Sequence, residues 1–386
     1  MIDKLIEGRL LTLLVGSVFR LVEIVVRAIH LGVRGVRIFV QENLTARADA
    51  RLSVVGKRLV ARRTRRDPAS IVLLSRDGEY GGDVKYIAEE LLRRRSPYRI
   101  TWALRERSVG PFPRAFSFVR LGTAASVRAI ASANVVVQDG DWLQRHHIAR
   151  SDGQHWLTAD GERVEHAGTS DSVPPAARGH ARNDVLVSTT PQDAPAVRKK
   201  VTDRLGIADA EQRFLLFAPS SDRGLREAQF SGIDFASIRA ALARTFGGEW
   251  EILIRTDAVD KAHADLLLAG LPSFCHDATF HPDLQELLVV SDAGMTDRAE
   301  WIADYLLTRR PAFLFDPRQR ELPAAVAATP LAVSTSNREL VDRIEQFDAP
   351  AYDRAIAAYL RAYGEPEDGA VAAHIVDRID ALMGVR

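Results

Sequence analysis

Five of the ten histidines, His146, His147, His155, His166 and His180, fall within 35 residues of one another. A metal centre is the chemistry such crowding invites. However, the spacing matches neither H-E-x-x-H nor a zinc-finger pattern, and the sole cysteine, Cys275, lies far along the chain. These residues read as solvated loop histidines, so no metal site and no cofactor are expected. No G-x-S-x-G is present to present a serine nucleophile. No G-x-G-x-x-G follows a strand-like run and no G-x-x-x-x-G-K-[ST] exists, which removes support for nicotinamide cofactors and for P-loop chemistry on ATP. A single cysteine also excludes an internal disulfide and suits a reducing compartment.

The elements that must position any site alternate between two periodicities. Ser70–Ser75 (SIVLLS) is a short apolar run suited to a buried strand, and Gly81, Gly82 and Asp83 open a helical pattern that runs to about Arg95. Tyr98–Leu104 reads as a strand, Thr123–Ala131 as a helix and Val135–Gln138 as a strand. Such alternation builds a parallel sheet. Residues 140–183 turn polar and lose apolar periodicity, as loop or cleft lining does. The alternation resumes with Asp184–Ser188 as a strand and a helix from about Pro195 to Leu205. Strand-like runs follow at Phe214–Ala218, Glu251–Arg255 and Pro311–Phe315. Helical patterns at Phe235–Phe246, Leu284–Val290 and Glu300–Thr308 separate them, and Ser336–Phe347, Tyr352–Tyr363 and Val371–Leu382 form a helical tail. With 386 residues, 46% of them hydrophobic, the chain is long and apolar enough for two cores. The expected class is α/β, GT-B-like: two Rossmann-like domains with a cleft between them, over 67–185 and 186–386.

The first 66 residues differ in kind. They hold fourteen Lys and Arg against five Asp and Glu, a balance of +9, so with a total of +1 the remainder carries −8. Arg20, Glu23, Arg27, His30, Arg34 and Arg37 recur in steps of three and four, one helical stripe on an otherwise apolar segment. Leu10–Phe19 is the longest uncharged stretch near the start, about half what a spanning helix needs. Asp3 and Glu7 argue against a cleaved signal. The segment is expected to be an amphipathic membrane-association helix, strengthened by Lys57, Arg58, Arg62, Arg63, Arg65 and Arg66 at the headgroups. The alternative is packing on the body or on a second subunit. Nucleic acid fits poorly, because no aromatics interleave the basic run and the body is acidic.

His281–Phe315 (HPDLQELLVVSDAGMTDRAEWIADYLLTRRPAFLF) resembles a signature of the CDP-glycerol glycerophosphotransferases of teichoic acid synthesis. That pattern runs Tyr-Pro-Asp-Leu-Gln-Glu-Leu-Leu, Ser-Asp, Thr-Asp-Tyr-Ser-Ser, Asp-Tyr-Leu-Leu and a Pro-initiated strand. Asp83–Leu92 is similar to the family's early helix, Leu215–Ser220 (LLFAPS) to its Tyr-Ala-Pro-Thr strand end, and Asp368 and Gly369 to its C-terminal Asp-Gly. The resemblance covers about residues 70–385. It implies transfer of an alditol phosphate from CDP-glycerol, or another nucleotide-activated donor, to a lipid-linked acceptor. It also implies a peripheral position on the cytoplasmic face of the cell membrane.

Such chemistry needs a base for the acceptor hydroxyl and cationic or hydrogen-bond-donating groups around a diphosphate. In the family a Trp-His-Gly-Thr-Pro motif supplies one histidine, an Arg-x-His-Pro motif another, and the Ser-Ser pair donates to phosphate. This chain departs at all of them. Thr158–Glu162 puts Asp160 where the first histidine belongs, which makes Asp160 the candidate base. Arg255-Thr256-Asp257-Ala258 again has an aspartate for a histidine, and Arg298-Ala299-Glu300 replaces Tyr-Ser-Ser after Thr296 and Asp297. The implied donor-binding set is Ser220, Arg255, Asp257, Thr296, Asp297 and Arg298. A carboxylate about 4 to 5 Å from a phosphate charge is repelled by roughly 3 to 4 kcal/mol at an effective dielectric of about 20. Asp257 and Glu300 are therefore expected to weaken donor binding. The alternative reading is a non-catalytic relative that binds a partner transferase or a polymer.

Overall fold

The structure, a computed structural model, describes residues 54–76, 78, 80–104, 113–140, 153–159, 179–208, 211–220, 232–256, 264–265, 268–363 and 368–384. Most of the expected N-terminal amphipathic segment, residues 1–53, lies outside them.

Two parallel sheets form the frame. The first contains β1 (Asp67–Leu74), β2 (Arg99–Leu104), β3 (Ser117–Arg120), β4 (Ala133–Gln138) and β5 (His155–Thr158), in the order β3-β2-β1-β4-β5. The second contains β6 (Arg213–Phe217), β7 (Trp250–Ile254), β8 (Cys275–Asp277), β9 (Ala293–Thr296), β10 (Ala312–Phe315) and β11 (Val333–Ser334), in the order β11-β10-β9-β6-β7-β8. Counted within its own half, the first sheet runs 3-2-1-4-5 and the second 3-2-1-4-5-6, the doubly wound order in which the chain reverses direction beside the first strand.

Strands buried on both faces explain the unbroken apolar runs. In β1, Ile71 and Leu73 point to one core with Val84, Ile87 and Leu91 of α2 (Gly82–Arg93). Val72 and Leu74 point the other way, to Ile130 of α3 (Ala124–Ser132) and to Trp156. Thr123 caps α3 by accepting from Ser126 N at 3.2 Å. The basic helix α1 (Val54–Arg63) lies on α3 through Ala61, Val127 and Ala131 and leaves Arg62 and Arg63 exposed.

In the second half Phe214 and Leu216 of β6 pack on Val201 of α5 (Ala194–Leu205) and on Leu287 and Leu288 of α7 (Leu284–Val290). Leu215 and Phe217 face Ile238 and Leu242 of α6 (Phe235–Phe246). The helices α8 (Trp301–Tyr305), α9 (Ala324–Ala327), α10 (Asn337–Glu345) and α11 (Ala349–Tyr363) complete this half.

Asp184–Ser188, expected as a strand, is instead the short helix α4. Its Val-Leu-Val favours a strand, but the Asp184 carboxylate accepts from Val371 N and Ala372 N at 2.9 and 2.8 Å and so caps α12 (Val371–Met383). That helix does not stay with the second half. Val371, Ile375, Val376 and Ile379 join the core of the first sheet beside Ile87 and Leu91, and Tyr98 donates to Asp380 at 2.6 Å. A fully buried aliphatic side chain is worth about 1.5 to 3 kcal/mol, so this return crossing binds the halves firmly.

Candidate functional site

A doubly wound sheet opens its crevice beyond the carboxyl ends of the two strands that flank the reversal. In the second half these are β6 and β9. Ala218, Pro219 and Ser220 continue β6, while Thr296 ends β9 and Asp297 and Arg298 follow it. Thr296 Oγ1 donates to Ala218 O at 2.8 Å, as does the indole Nε1 of Trp301 at the start of α8. Ser220 donates through N and Oγ to the Asp297 carboxylate at 2.7 and 2.8 Å. Hence Ser220, Thr296, Asp297 and Arg298, expected to act together, do meet at one strand-end cluster.

Most of their polar capacity is spent within the protein. Asp297 is buried and also accepts from Arg298 N at 2.6 Å and from Arg320 Nη2 at 2.7 Å. Arg320 reaches Asp316 as well, at 3.0 Å, and Asp316 accepts from Arg320 N at 2.9 Å. Burial alone would raise the Asp316 carboxyl, but the bonds and charge of Arg320 outweigh it and hold that carboxyl below its ordinary value. A carboxylate so enclosed by donors presents little repulsion to an incoming anion. Glu300, by contrast, is exposed at the N-terminal end of α8. A pocket opens beside the cluster, lined among others by Phe217, Pro219, Ile233, Phe315, Asp316 and Arg318.

Arg255 directly follows β7 on the other side of β6, and its Nη1 donates to His281 O at 2.6 Å, which pins the loop before α7. The segment that carried the resemblance, His281–Glu286, is a set of joints. Asp283 caps α7 by accepting from Gln285 N at 3.0 Å, and with its other oxygen receives Lys85 Nζ at 2.5 Å and Tyr86 OH at 2.8 Å from α2. Gln285 donates to Asn183 at 2.9 Å. Glu286 binds His281 Nε2 at 2.9 Å and Lys200. Burial opposes its charge, yet these two partners bring its carboxyl down to about 2.

In the first half the reversal falls between β1 and β4. Gly81 and Gly82 open α2 there, and Gly82 takes φ +65, a region costly for any residue with a Cβ. A Cβ on Gly82 would also stand 3.3 Å from Asp139 Oδ2. Asp83 is buried and accepts from Arg182 N at 3.0 Å and Nη1 at 2.6 Å, with His180 Nδ1 at 3.4 Å. Burial raises its carboxyl, and His180 and Arg182 reverse this to about 2. The same guanidinium donates to Asp304 of α8 at 2.8 and 3.2 Å, so Arg182 straps the first half to the second. Asp139, one residue past β4, has only Arg76 at 3.3 Å as an ion-pair partner among the described residues. Burial pushes its carboxyl above the usual range, opposed by Arg76 and reinforced by Asp83.

Asp160 and Asp257 lie outside the described residues, as do Trp142, His146, His147 and His166. β5 ends at Thr158, two residues before Asp160. Trp156 is fully buried and donates to Gln154 Oε1 at 2.8 Å, a packing role. Among the described residues no three His, Cys, Asp or Glu side chains gather as a metal site. Asp139, Arg182, Arg318 and Arg320 were not read from sequence. The first two follow directly on apolar or polar stretches without a motif, and the Asp-Pro-Arg-Gln-Arg run reads as a plain polar turn.

The sequence pattern of the family described as CDP-Glycerol:Poly(glycerophosphate) glycerophosphotransferase matches residues 175–381. The chain belongs to this family. A teichoic acid poly(glycerol phosphate) polymerase of Staphylococcus epidermidis is 23% identical over 221 residues, 52% of this chain and 29% of that one. The chain thus spans less than a third of that relative's length. Among solved structures, the wall teichoic acid polymerase TagF superposes with a TM-score of 0.66 at 18% identity, covering 86% of this chain and 94% of that one. A TagF variant soaked with CDPG gives 0.64 at 18%, covering 89% and 95%. The family's chains and this one share the GT-B-like fold expected from sequence.

Proposed function

We propose that this chain is a membrane-associated glycerophosphotransferase that moves an alditol phosphate from a CDP-activated donor to a hydroxyl of a lipid-linked acceptor in teichoic acid or related polymer synthesis. The observation that carries the reading is the strand-end cluster of Ser220, Thr296 and Asp297 at the chain reversal of the second half, in a member of this family. Donor diphosphate would lie beyond β6 and β9. The acceptor hydroxyl would approach from the first half, where Asp139 and the end of β5 stand. Attack of that hydroxyl oxygen on the glycerol-bearing phosphorus breaks the diphosphate bridge and releases CMP, while the hydroxyl proton passes to a carboxylate.

Exposed Leu59, Arg62, Arg63 and Arg65 on and just after α1 support attachment to an anionic membrane surface. Liposome flotation should fall several-fold when Arg62, Arg63 and Arg65 are all changed to Glu; unchanged flotation rejects the attachment. Calorimetric titration with CDP-glycerol and with CDP, together with CMP release in the presence of a short glycerol phosphate oligomer, tests the transfer. A second reading, a non-catalytic relative that binds a partner transferase or polymer, is favoured by the aspartates at 160 and 257 where the family carries histidines. Saturable CDP-glycerol binding with turnover selects the enzyme, and absence of both selects the relative.

A further inference from the structure

The carboxylates at the ends of β9 and β10 are consumed by one arginine, and this leaves another arginine over. Asp297 and Asp316, both buried, share Arg320, whose Nη2 lies 2.7 Å from one and 3.0 Å from the other. Their remaining acceptor capacity goes to Ser220 N and Oγ, to Arg298 N, and to the backbone of Arg318 and Arg320 at 3.3 and 2.9 Å. The turn that follows β10 is therefore wound around Asp316. Gln319 sits in the left-handed region at φ 51, a conformation unfavourable for a residue with a side chain, and its N donates to Asp316 O at 3.1 Å. The winding turns Arg320 inward and leaves Arg318 exposed in the lining of the pocket.

No hydrogen bond or ion pair of the Arg318 guanidinium is found among the described residues. The same holds for the side chain of Arg298, which follows the adjacent strand. Two acids against Arg318 and Arg320 make the pocket electrically neutral, and Arg298 adds one positive charge beside it. The floor contributed by Phe217, Pro219, Ile233 and Phe315 is apolar. An apolar floor under an uncommitted guanidinium suits an organic phosphate, since arginine binds phosphate oxygens through a planar fork of donors.

We propose that Arg318 binds the diphosphate of a nucleoside diphosphate ligand in the pocket beyond β6, β9 and β10. The proposal rests on the donor reading above and adds a named cation to it. Because Asp297 and Asp316 pair with Arg320 and not with Arg318, the phosphate meets Arg318 without having to break a salt bridge.

Calorimetric titration of the full chain with CDP, inorganic pyrophosphate and cytidine tests it. Arg318→Ala should weaken CDP and pyrophosphate by about tenfold or more and leave cytidine unchanged. Arg318→Lys should recover part of the loss, since it restores the charge without the fork. The melting temperature of Arg318→Ala should equal that of the unaltered chain, which separates a binding loss from misfolding. Equal CDP affinity in the two proteins overturns the role of Arg318 alone. A loss for cytidine as large as that for CDP overturns the phosphate contact. An unaltered chain that binds neither CDP nor pyrophosphate overturns both this proposal and the donor reading.

Discussion

The two halves share one strand order yet leave different groups uncommitted at the place where that order reverses. Beyond β6 and β9 the acids are sealed by donors from Ser220, Arg298 and Arg320, and the exposed charged side chain lining the pocket is Arg318. Beyond β1 and β4 the sealed group is Asp83, while Asp139 keeps a carboxyl raised by burial beside two glycines. One crevice edge suits an anion and the other suits a group that gives up a proton. Identical topology therefore does not assign the role of a switch point. The residues that neutralise or fail to neutralise its acids do.

The comparison depends on the halves being held together, and Arg182 bridges them through Asp83 and Asp304. Arg182→Met would leave the buried Asp83 and the half-buried Asp304 without their shared cation, a loss on the order of 3 kcal/mol, the low end for breaking a buried pair. Urea denaturation should show the lower midpoint, and hydrogen exchange should show protection lost first in α2 and α8. A midpoint within error of the unaltered chain would mean that the strap contributes nothing. A smaller break lies inside the second half. A Cβ on Gly294 would meet two ring carbons of the fully buried Tyr305 at 2.9 Å and Trp301 at 3.3 Å. Gly294→Ala should cost about 3 kcal/mol, the upper part of the range for overpacking. By moving Trp301 off Ala218 O it should also weaken CDP binding, whereas a chain of full stability would show that α8 can shift without loss.

Protonation offers a reversible version of the first break. The Asp83 carboxyl titrates at about 2, below its ordinary 3.8, so its contribution is complete above about pH 4 and fades as the pH falls toward 2. The amount at stake is about 2 kcal/mol. Urea midpoints measured from pH 7 down to 2.5 should fall more steeply for the unaltered chain than for Asp83→Asn. Parallel curves would place the acid sensitivity elsewhere, with Glu286, also at about 2, as the next residue to examine.

Long or strongly apolar elements were legible in the sequence, and short or polar ones were not. Leu284–Val290 forms a helix over the expected residues, and the apolar runs that became β1, β2, β4, β6, β7 and β10 were placed within a few residues. β9 escaped notice because Ala-Gly-Met-Thr has two small residues, one of them the glycine that Tyr305 crowds. β3 and β8 are edge strands with mostly exposed or half-buried residues, so no apolar run marks them. Asp184–Ser188 misled in the other direction, because its β-branched residues are overruled by the cap that Asp184 gives α12. Within the site, Ser220, Thr296 and Asp297 were legible through a motif. The strap and the seam were not, since Lys85 and Asp283 stand 198 residues apart and only folding brings them together.

The smallest expected effect bears on the other side of the comparison. A carboxyl whose folded value is raised disfavours its own ionised form in the native state, so at neutral pH the Asp139 charge opposes folding. Removing the charge while keeping the shape, by Asp139→Asn, should raise stability by about 0.5 kcal/mol, the low end for a relieved unfavourable group. The same change should leave CDP affinity untouched, because the diphosphate is assigned to the other half, and should lower CMP release to a glycerol phosphate acceptor while flattening the acid limb of its pH profile. A residue kept only for structure would do the reverse, losing stability when neutralised and leaving the pH profile in place. A half-buried carboxylate that the fold would be better without points to work done on a substrate, and a fall in stability on neutralising Asp139 would remove that explanation.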